Sequence, residues 1–302
     1  MTTPELVTAR LERPRIRLGN LGPMLVVLLV ALALYWPLML WANVGAARSL
    51  LASGAEIGCT SPIACATQLR NPVLPAPAQL GAGFVNLSVP PLAPTSAPYN
   101  TLVTAGETLF GLAIAAVLGV VLALLLVVSR AFERSLMPWL IASQTVPIIA
   151  LAPMLAVVLG QYGVQGWVPK AIIAAYIAFF PVAIGVARGL RSPDPLQLDL
   201  MRTYHATPGA VFWKLRLPAS LPFLFTSLKV AATGALIGSI VAEISTISFS
   251  GLGKMLAENS RASDTVALWV IMLYGAALGI ALVALVGAVE RWVTPWRAGQ
   301  PK

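Results

Sequence analysis

The chain has 302 residues, of which 58% are hydrophobic and only 10% are charged, and its formal net charge is +9. Soluble domains carry about 25% charged residues, and no soluble core of this size could bury so much apolar surface. The composition therefore excludes a water-soluble globular protein and indicates that lipid surrounds most of the chain. Because the basic residues are spread over several separate segments, we also expect no nucleic-acid partner.

Apolar segments of the length that crosses a bilayer recur along the chain. They reach or approach the roughly 20 residues that a spanning helix needs, and they are continuous rather than alternating, which favours helices over strands. We predict an all-α membrane protein with six transmembrane helices at about 24–43, 102–128, 137–159, 168–190, 219–245 and 266–289.

The predicted regions differ in composition. A basic tail at 1–22 precedes the first apolar segment, as in a signal peptide, but that segment is longer than the apolar core of about 7–15 residues found in signal peptides. We therefore favour a retained helix at 23–43. Eight prolines in the following outer loop, 44–98, are expected to prevent a regular helix or sheet over its length. We expect a five-helix core at 99–290 and a second tail at 291–302.

The positions of Lys and Arg predict how the chain is oriented in the membrane. With a cytoplasmic N-terminus, 14 of these residues fall on the inner side and five, among them Lys170, fall on the outer side, while Lys229 lies within a span. We therefore predict that both termini and the segment 191–218 are cytoplasmic.

The outer loop at 44–98 holds the two cysteines of the chain, Cys59 and Cys65. The outer compartment permits disulfides, so the two residues either form a bond or remain unpaired. No second pair and no nearby histidine supports a metal or redox site. The sequence LPAPAQL at Leu74–Leu80 predicts a short extended lead-in to a helix at the membrane surface.

The ionisable side chains of Glu107, Lys229 and Glu243 lie within predicted spans. Such groups are costly in a bilayer and usually face the bundle interior or a water-filled cavity. One interpretation is that Glu243 snorkels to the surface and that Lys229 is packed or paired. The other places these side chains along a central pathway. A proton relay looks incomplete, because both carboxylates are near the outer side.

The third span contains two prolines in the sequence QTVPIIALAP, Gln144–Pro153. Each proline removes a helix hydrogen bond, and broken backbone at membrane depth tends to line a cavity. We therefore predict that Gln144, Thr145 and Pro147 belong to a translocation pathway, in which Gln144 and Thr145 offer hydrogen bonds to a polar solute. A kink that serves packing alone is the alternative.

The inner segment between the fourth and fifth spans predicts two short helices joined by a turn. Leu196, Leu200 and Tyr204 recur at i, i+4 and i+8 and form one apolar stripe, while Thr207 and Pro208 suit the N-cap and first position of the second helix. These helices could dock into a groove on a partner or lie on the lipid surface. A second stripe follows at Val211, Phe212 and Leu215.

This inner segment resembles the EAA loop of inner-membrane permeases of ABC importers, which reads E-A-A, three residues, G, nine residues and I-x-L-P. Asp199–Met201 stands at the E-A-A positions, His205 at the glycine and Leu215–Pro218 at I-x-L-P, with the spacing intact. The similarity covers about 74–290 and is strongest to the nitrate/sulfonate/taurine group, including its branch for thiamine-pyrimidine precursors or riboflavin. Glycine would allow a turn with positive φ, which His tolerates better than most residues.

The resemblance implies the type I permease fold and the membrane subunit of an ATP-driven importer in the bacterial inner membrane. The implied solute is small and polar organic or anionic, such as a nitrate-, sulfonate- or taurine-like compound or a vitamin precursor. The implied partners are two cytoplasmic ATPase subunits, a second permease copy or paralogue, and a periplasmic or lipid-anchored solute-binding protein. The residues expected to contact the ATPase are Asp199, Arg202, Tyr204, His205, Ala206, Phe212, Leu215, Leu217 and Pro218.

The chain itself lacks the G-x-x-x-x-G-K-[ST] phosphate loop, so we expect no ATP site, no catalytic residue and no cofactor in it. Three other classes of protein remain as alternatives. A secondary transporter or channel would leave the motif spacing unexplained, and a membrane enzyme would need a catalytic cluster that the sequence does not offer. A structural or assembly protein is compatible with the kinked spans and the inner loop.

Overall fold

The computed structural model describes residues 21–53, 59–246 and 250–296, which contain helices and no strand. The chain divides into two compact units, Met1–Ala76 and Pro77–Lys302. The predicted tail at 1–22 lies outside the described residues apart from its last two positions, and so do residues 297–302 of the predicted C-terminal tail.

The first unit consists of a long helix and a short disulfide-linked segment. Helix α1 (Leu21–Ala52) extends nine residues beyond its predicted end at residue 43, because the sequence there is rich in Ala and Leu, which favour helix. Helix α2 (Pro62–Ala66) lies in the segment that the Cys59–Cys65 disulfide closes, with the two Cα atoms 5.4 Å apart.

Asn43 ties the irregular segment that follows α2 to α1. Its side chain is fully buried. The amide donates to the carbonyl oxygen of Leu74 at 2.7 Å, and Oδ1 accepts from the N–H of Val73 at 2.9 Å. One buried amide thus satisfies backbone groups that an irregular segment would otherwise leave unpaired.

The second unit is a bundle of helices of very different lengths. They are α3 (Pro77–Ser88), α4 (Ala97–Val128), α5 (Arg130–Ser143), α6 (Ile148–Gln161), α7 (Trp167–Leu190), α8 (Pro195–Thr203), α9 (Pro208–Val211), α10 (Leu217–Ser245), α11 (Leu252–Arg261) and α12 (Thr265–Val293). A single π-helical turn at Phe212–Arg216 joins α9 to α10.

Helix α7 lies at the centre of this unit, between α4 and α10. A Cβ added to Gly111 of α4 would be 2.6 Å from the Cβ of Ala174, and one added to Gly238 of α10 would be 2.9 Å from the Cα of Ala174. Small residues that let backbones approach closely are the usual basis of helix association in lipid. This packing fixes the relative positions of the ionisable residues on α4, α7 and α10.

Within the described residues, five stretches of helix are long and apolar enough to cross a membrane: α1, α4, α7, α12, and α10 together with the short helical turns before it. Helices α5 and α6 pass the same test as a pair but are bent by 97° at their junction, as a broken span or a re-entrant loop. The predicted all-α membrane fold is confirmed. The predicted third span is this bent pair, because Pro147 offers no N–H and disfavours helical geometry at Val146.

Helices also occupy part of the 44–98 loop, where we expected proline to prevent them. Pro62 and Pro77 stand at the first positions of α2 and α3, where the missing N–H costs nothing. The loop is thus not irregular throughout, and α3 begins within the Leu74–Leu80 segment.

Candidate functional sites

The inner segment begins with the exposed helix α8. The Asp194 carboxylate accepts from the N–H of Leu196 at 2.8 Å, and Gln197 completes a capping box, which fixes the start of the helix. Leu196, Leu200 and Tyr204 are 77%, 56% and 75% exposed. The structure thus leaves the predicted apolar stripe uncovered.

His205 adopts the left-handed turn that glycine would favour. Its φ is +50°. The N–H of His205 donates to the carbonyl of Arg202 at 2.9 Å, and the N–H of Ala206 donates to the carbonyl of Met201 at 3.0 Å, which ends α8 in a Schellman-type turn. The turn therefore forms with His at the position of the motif glycine.

The second half of the segment runs directly into α10. The Thr207 hydroxyl accepts from the N–H of Ala210 at 3.3 Å and Pro208 follows it, so the predicted N-cap and first position are confirmed. The expected second helix is a single α-helical turn followed by the π turn, continuous with α10 rather than separate. Phe212 packs against the main apolar core of the unit, while Trp213 is exposed.

Some of the remaining predicted contact residues lie on the exposed surface of the segment, and the others lie at its base, where it joins α10. Asp199 and Arg202 form an exposed ion pair with a 2.8 Å separation. Leu215, Leu217 and Pro218 are half-buried at the junction with α10. The tip of the segment is thus free to meet another surface, and its base is packed into the bundle.

The break between α5 and α6 lies level with the first half of α7. The hydroxyl of Tyr176 donates to the carbonyl of Ser143, and Tyr176 is nine residues into the 24-residue α7, or about 14 Å along a helix of about 36 Å. Gln144, Thr145 and Pro147 are exposed at this depth. Irregular backbone is tolerated there only where protein buries it or it lines a water-filled cavity.

Glu107 lies apart from this break and is paired with a residue of α7. Its Oε1 is 2.5 Å from Nζ of Lys170, and both side chains are buried. The orientation count placed Lys170 with the outer cations, but the structure buries it inside α7. The reason is the complementary charge, since a buried ammonium is stable only when it is paired.

Glu243 is held in the interior of the bundle. The interpretation that its side chain snorkels to the membrane surface is therefore wrong. Glu243 is 1% exposed. Its Oε1 accepts from the hydroxyl of Thr104 at 2.7 Å, and its Oε2 accepts from the N–H of Gly253 at 2.5 Å. Thr104 Oγ1 in turn accepts from the N–H of Leu252 at 2.9 Å. The carboxylate therefore fastens the start of α11 to α4 and α10.

Lys229 is paired, as one interpretation of the sequence expected. Its Nζ is 2.5 Å from Oε2 of Glu290 on α12. The predicted pathway residues thus fall into three places: the α5–α6 break, the Glu107 pair and the Lys229 pair. Among the described residues, no group of His, Cys, Asp and Glu could hold a metal ion.

Sequence reasoning missed Lys170 and Glu290. Lys170 stands two residues inside the predicted fourth span and was counted with the outer cations, and Glu290 stands one residue beyond the sixth span. The available signal was charge complementarity, because each carboxylate or ammonium within a span requires a partner on a neighbouring helix.

The family described as "Binding-protein-dependent transport system inner membrane component" matches residues 115–298, which is more than half of the chain. The chain belongs to this family. It is a multi-pass permease component of the inner membrane, and its identification as an ABC importer permease is confirmed.

Two curated relatives and one solved structure illustrate the similarity. The formylaminopyrimidine transport permease protein ThiX of Halalkalibacterium halodurans is 33% identical over 190 residues, 63% of this chain and 74% of ThiX. The putative aliphatic sulfonates transport permease protein SsuC of Bacillus subtilis is 28% identical over 229 residues, 72% of this chain and 81% of SsuC. A structure of the MetNI methionine ABC transporter in inward-facing conformations has a TM-score of 0.51 and 21% identity, covering 67% of this chain and 95% of that chain. The last confirms the predicted type I fold.

Proposed function

We propose that this permease imports a small polar organic or anionic solute and that a separate ATPase drives it through the segment 195–218. The observation that carries this proposal is the exposed apolar stripe of α8, followed by the left-handed turn at His205, in the register of the EAA motif. Two ATPase subunits bind two permease copies in this arrangement, and a solute-binding protein delivers solute from the outer side.

The shape of the segment supports a role in coupling. Leu200 and Tyr204 offer apolar surface that water disfavours, and Arg202 offers a positive charge beside it. The base of the segment packs into the core through Phe212 and continues without interruption into α10. A displacement of the tip by an ATPase would therefore reach a membrane-spanning helix directly.

The α5–α6 break supports a pathway between two copies. Gln144 and Thr145 are exposed near mid-membrane, where lipid cannot satisfy an amide, a hydroxyl or an irregular backbone. A second copy of the chain, facing the first across this break, would exclude lipid and leave a polar passage. Glu107 and Lys229, which are already paired, would shape the surrounding bundle.

The names of the relatives and the distribution of charge suggest the solute class and the orientation. ThiX is named for a formylaminopyrimidine and SsuC for aliphatic sulfonates, so we propose a solute of the vitamin-precursor or sulfonate kind. The Lys and Arg bias places both termini in the cytoplasm, beside the ATPase. The chain hydrolyses no ATP itself.

Purification from native membranes tests this proposal. We expect a mild detergent extract of the tagged chain to contain an ABC ATPase and a second permease subunit, and reconstituted vesicles to take up solute only with ATP. A secondary transporter or channel would instead move solute from vesicles that contain this chain alone, and that result would refute the ATPase coupling.

A further inference from the structure

Two buried carboxyl groups meet beside a single buried lysine. The carboxyl groups of Glu107 and Glu243 lie close enough to interact, and the two residues are 3% and 1% exposed. Lys170, 5% exposed, binds Glu107. Two carboxylates and one ammonium would leave a net negative charge in the interior, and like charges this close do not both ionise.

The hydrogen bonds show where a proton is missing. Oε2 of Glu243 accepts from the N–H of Gly253. Oε1 of Glu243 is 2.7 Å from the hydroxyl of Thr104, whose single proton can go to Oε1 or to the carbonyl oxygen of Asn100. Oε1 of Glu107 accepts from Lys170. Oε2 of Glu107 is buried, and no donor among the described residues reaches it. A carboxylate can only accept, whereas a protonated carboxyl group can donate.

We infer that Glu107 and Glu243 form a proton-binding site, in which the two carboxyl groups share one proton in a hydrogen bond that involves Oε2 of Glu107. This arrangement gives the buried Oε2 a partner and balances the charge of Lys170 with one carboxylate. The ligand is a proton, held in an O–H···O hydrogen bond between α4 and α10. The site stands independently of the solute and of the ATPase contact proposed above.

A cavity gives this site a route for exchange. About 380 Å³ of space adjoins Glu107 between α4 and the start of α7, lined by Leu102, Val103, Gly106, Phe110 and Trp167. Glu107 and Lys170 lie in the N-terminal halves of α4 and α7, and Glu243 lies in the last turn of α10, so the three residues are at one end of the bundle. A proton can therefore reach Glu107 without crossing the length of the bundle.

Other charged groups near these helices are engaged elsewhere. Helices α3 and α6 carry no ionisable side chain. On α11, Lys254 and Glu258 form an i,i+4 pair. On α10, Lys229 is 14 residues from Glu243, or about 21 Å along the helix, and binds Glu290 of α12. At the opposite end of α4, Glu133 of α5 binds Arg191.

The proton links the bundle to α11. Thr104 and Glu243 hold the N–H groups of Leu252 and Gly253, so their geometry sets the start of that helix. Loss of the proton would place a second negative charge against Glu243 and would oppose this packing. Because unfolded carboxyl groups ionise above about pH 4.3, unfolding releases the proton, and rising pH favours the unfolded state.

Infrared spectroscopy of the purified chain tests the site directly. We expect the carbonyl stretch of a protonated carboxylic acid near neutral pH, its loss in Glu107→Gln and its retention in Glu290→Gln. Glu290 is the matched control, since it is also a partly buried carboxylate bound by one lysine. A band that survives in Glu107→Gln, or no band in the wild-type chain, would overturn the assignment.

The pH dependence supplies a second measurement. We expect the thermal midpoint of the wild-type chain to fall, and amide exchange in α11 to accelerate, as the pH rises above about 4.3, where unfolded carboxyl groups ionise. Glu107→Gln should remove this dependence, because its amide accepts from Lys170 and donates to Glu243 at every pH. If that variant does not fold, an infrared pH titration of the wild-type chain tests the inference instead. An acid carbonyl band whose intensity does not fall as the pH rises would overturn the inference.

Discussion

Lys170 of α7 and Glu107 of α4 meet at 2.5 Å in the interior of the bundle, where each is about 5% exposed or less. Their sequence separation is 63 residues, so the pair forms only when the two helices pack. Glycines at the same interface allow the helices to come close enough for it. The ion pair therefore forms only in the folded bundle, and its loss would indicate that α4 and α7 have separated.

Replacing Lys170 with Met should strongly destabilise the fold. The change leaves Oε1 of Glu107 without its donor and the carboxylate of Glu243 without a positive charge nearby. Breaking a buried pair costs about 3–5 kcal/mol. Thermal unfolding in detergent measures the loss, with Arg202→Met as control, because Arg202 belongs to an exposed pair. Equal effects of the two variants would contradict the buried role of Lys170.

Gly253→Ala should destabilise the junction between α10 and α11. A Cβ at this position would be 2.3 Å from the carbonyl oxygen of Ile240 and 2.7 Å from Cβ of Glu243. Overpacking of this kind costs about 1–3 kcal/mol. Gly81→Ala is the control, since nothing lies within 4 Å of its Cβ and alanine is favoured in a helix. Unfolding midpoints should fall for the first variant and hold or rise for the second.

Local features of the sequence predicted much of the fold. Long apolar runs define α4, α7, α10 and α12, and Thr207–Pro208 marks a helix start through neighbouring residues alone. The left-handed geometry at His205 could also be predicted, because the spacing to Leu217–Pro218 places His at a motif glycine.

Contacts between distant segments could not be predicted in the same way. Glu243 seemed free to snorkel because its partner Thr104 is 139 residues away, and the depth of Lys170 depends on how α7 sits against α4. Prolines were also misjudged in the outer loop, since their effect depends on their position within a helix: Pro62 starts a helix, whereas Pro147 separates two.

His205 is expected to tolerate glycine but not valine. The residue has φ of +50°, a conformation that costs an L-residue about 1–2 kcal/mol and a glycine little, and β-branching makes it harder to adopt. His205→Gly should keep ATPase binding and His205→Val should weaken it. Co-purification of the ATPase with each variant measures this. Unchanged binding in both variants would mean that the turn does not contribute to the contact.

Ala206→Glu should uncouple ATP hydrolysis from transport. Ala206 is half-buried in the turn between α8 and α9, so a longer charged side chain would push into the expected interface with the ATPase. We expect normal membrane insertion with most uptake and ATPase stimulation lost in reconstituted vesicles. Ala262→Glu, at an exposed position after α11, is the control. Wild-type uptake by Ala206→Glu would sink the coupling proposal.

Gln144→Cys should react with a charged, membrane-impermeant thiol reagent, and the reaction should block uptake. The chain's own cysteines are joined in a disulfide, so the introduced thiol is the reactive one. Gln144 is exposed at the α5–α6 break near mid-membrane, and a thiolate forms there only if water has access, because the thiol in lipid stays protonated. Val117→Cys, on an exposed apolar face of α4, should remain unlabelled in lipid. Equal labelling of the two positions, or labelling at 144 without inhibition, would place the passage elsewhere in the bundle.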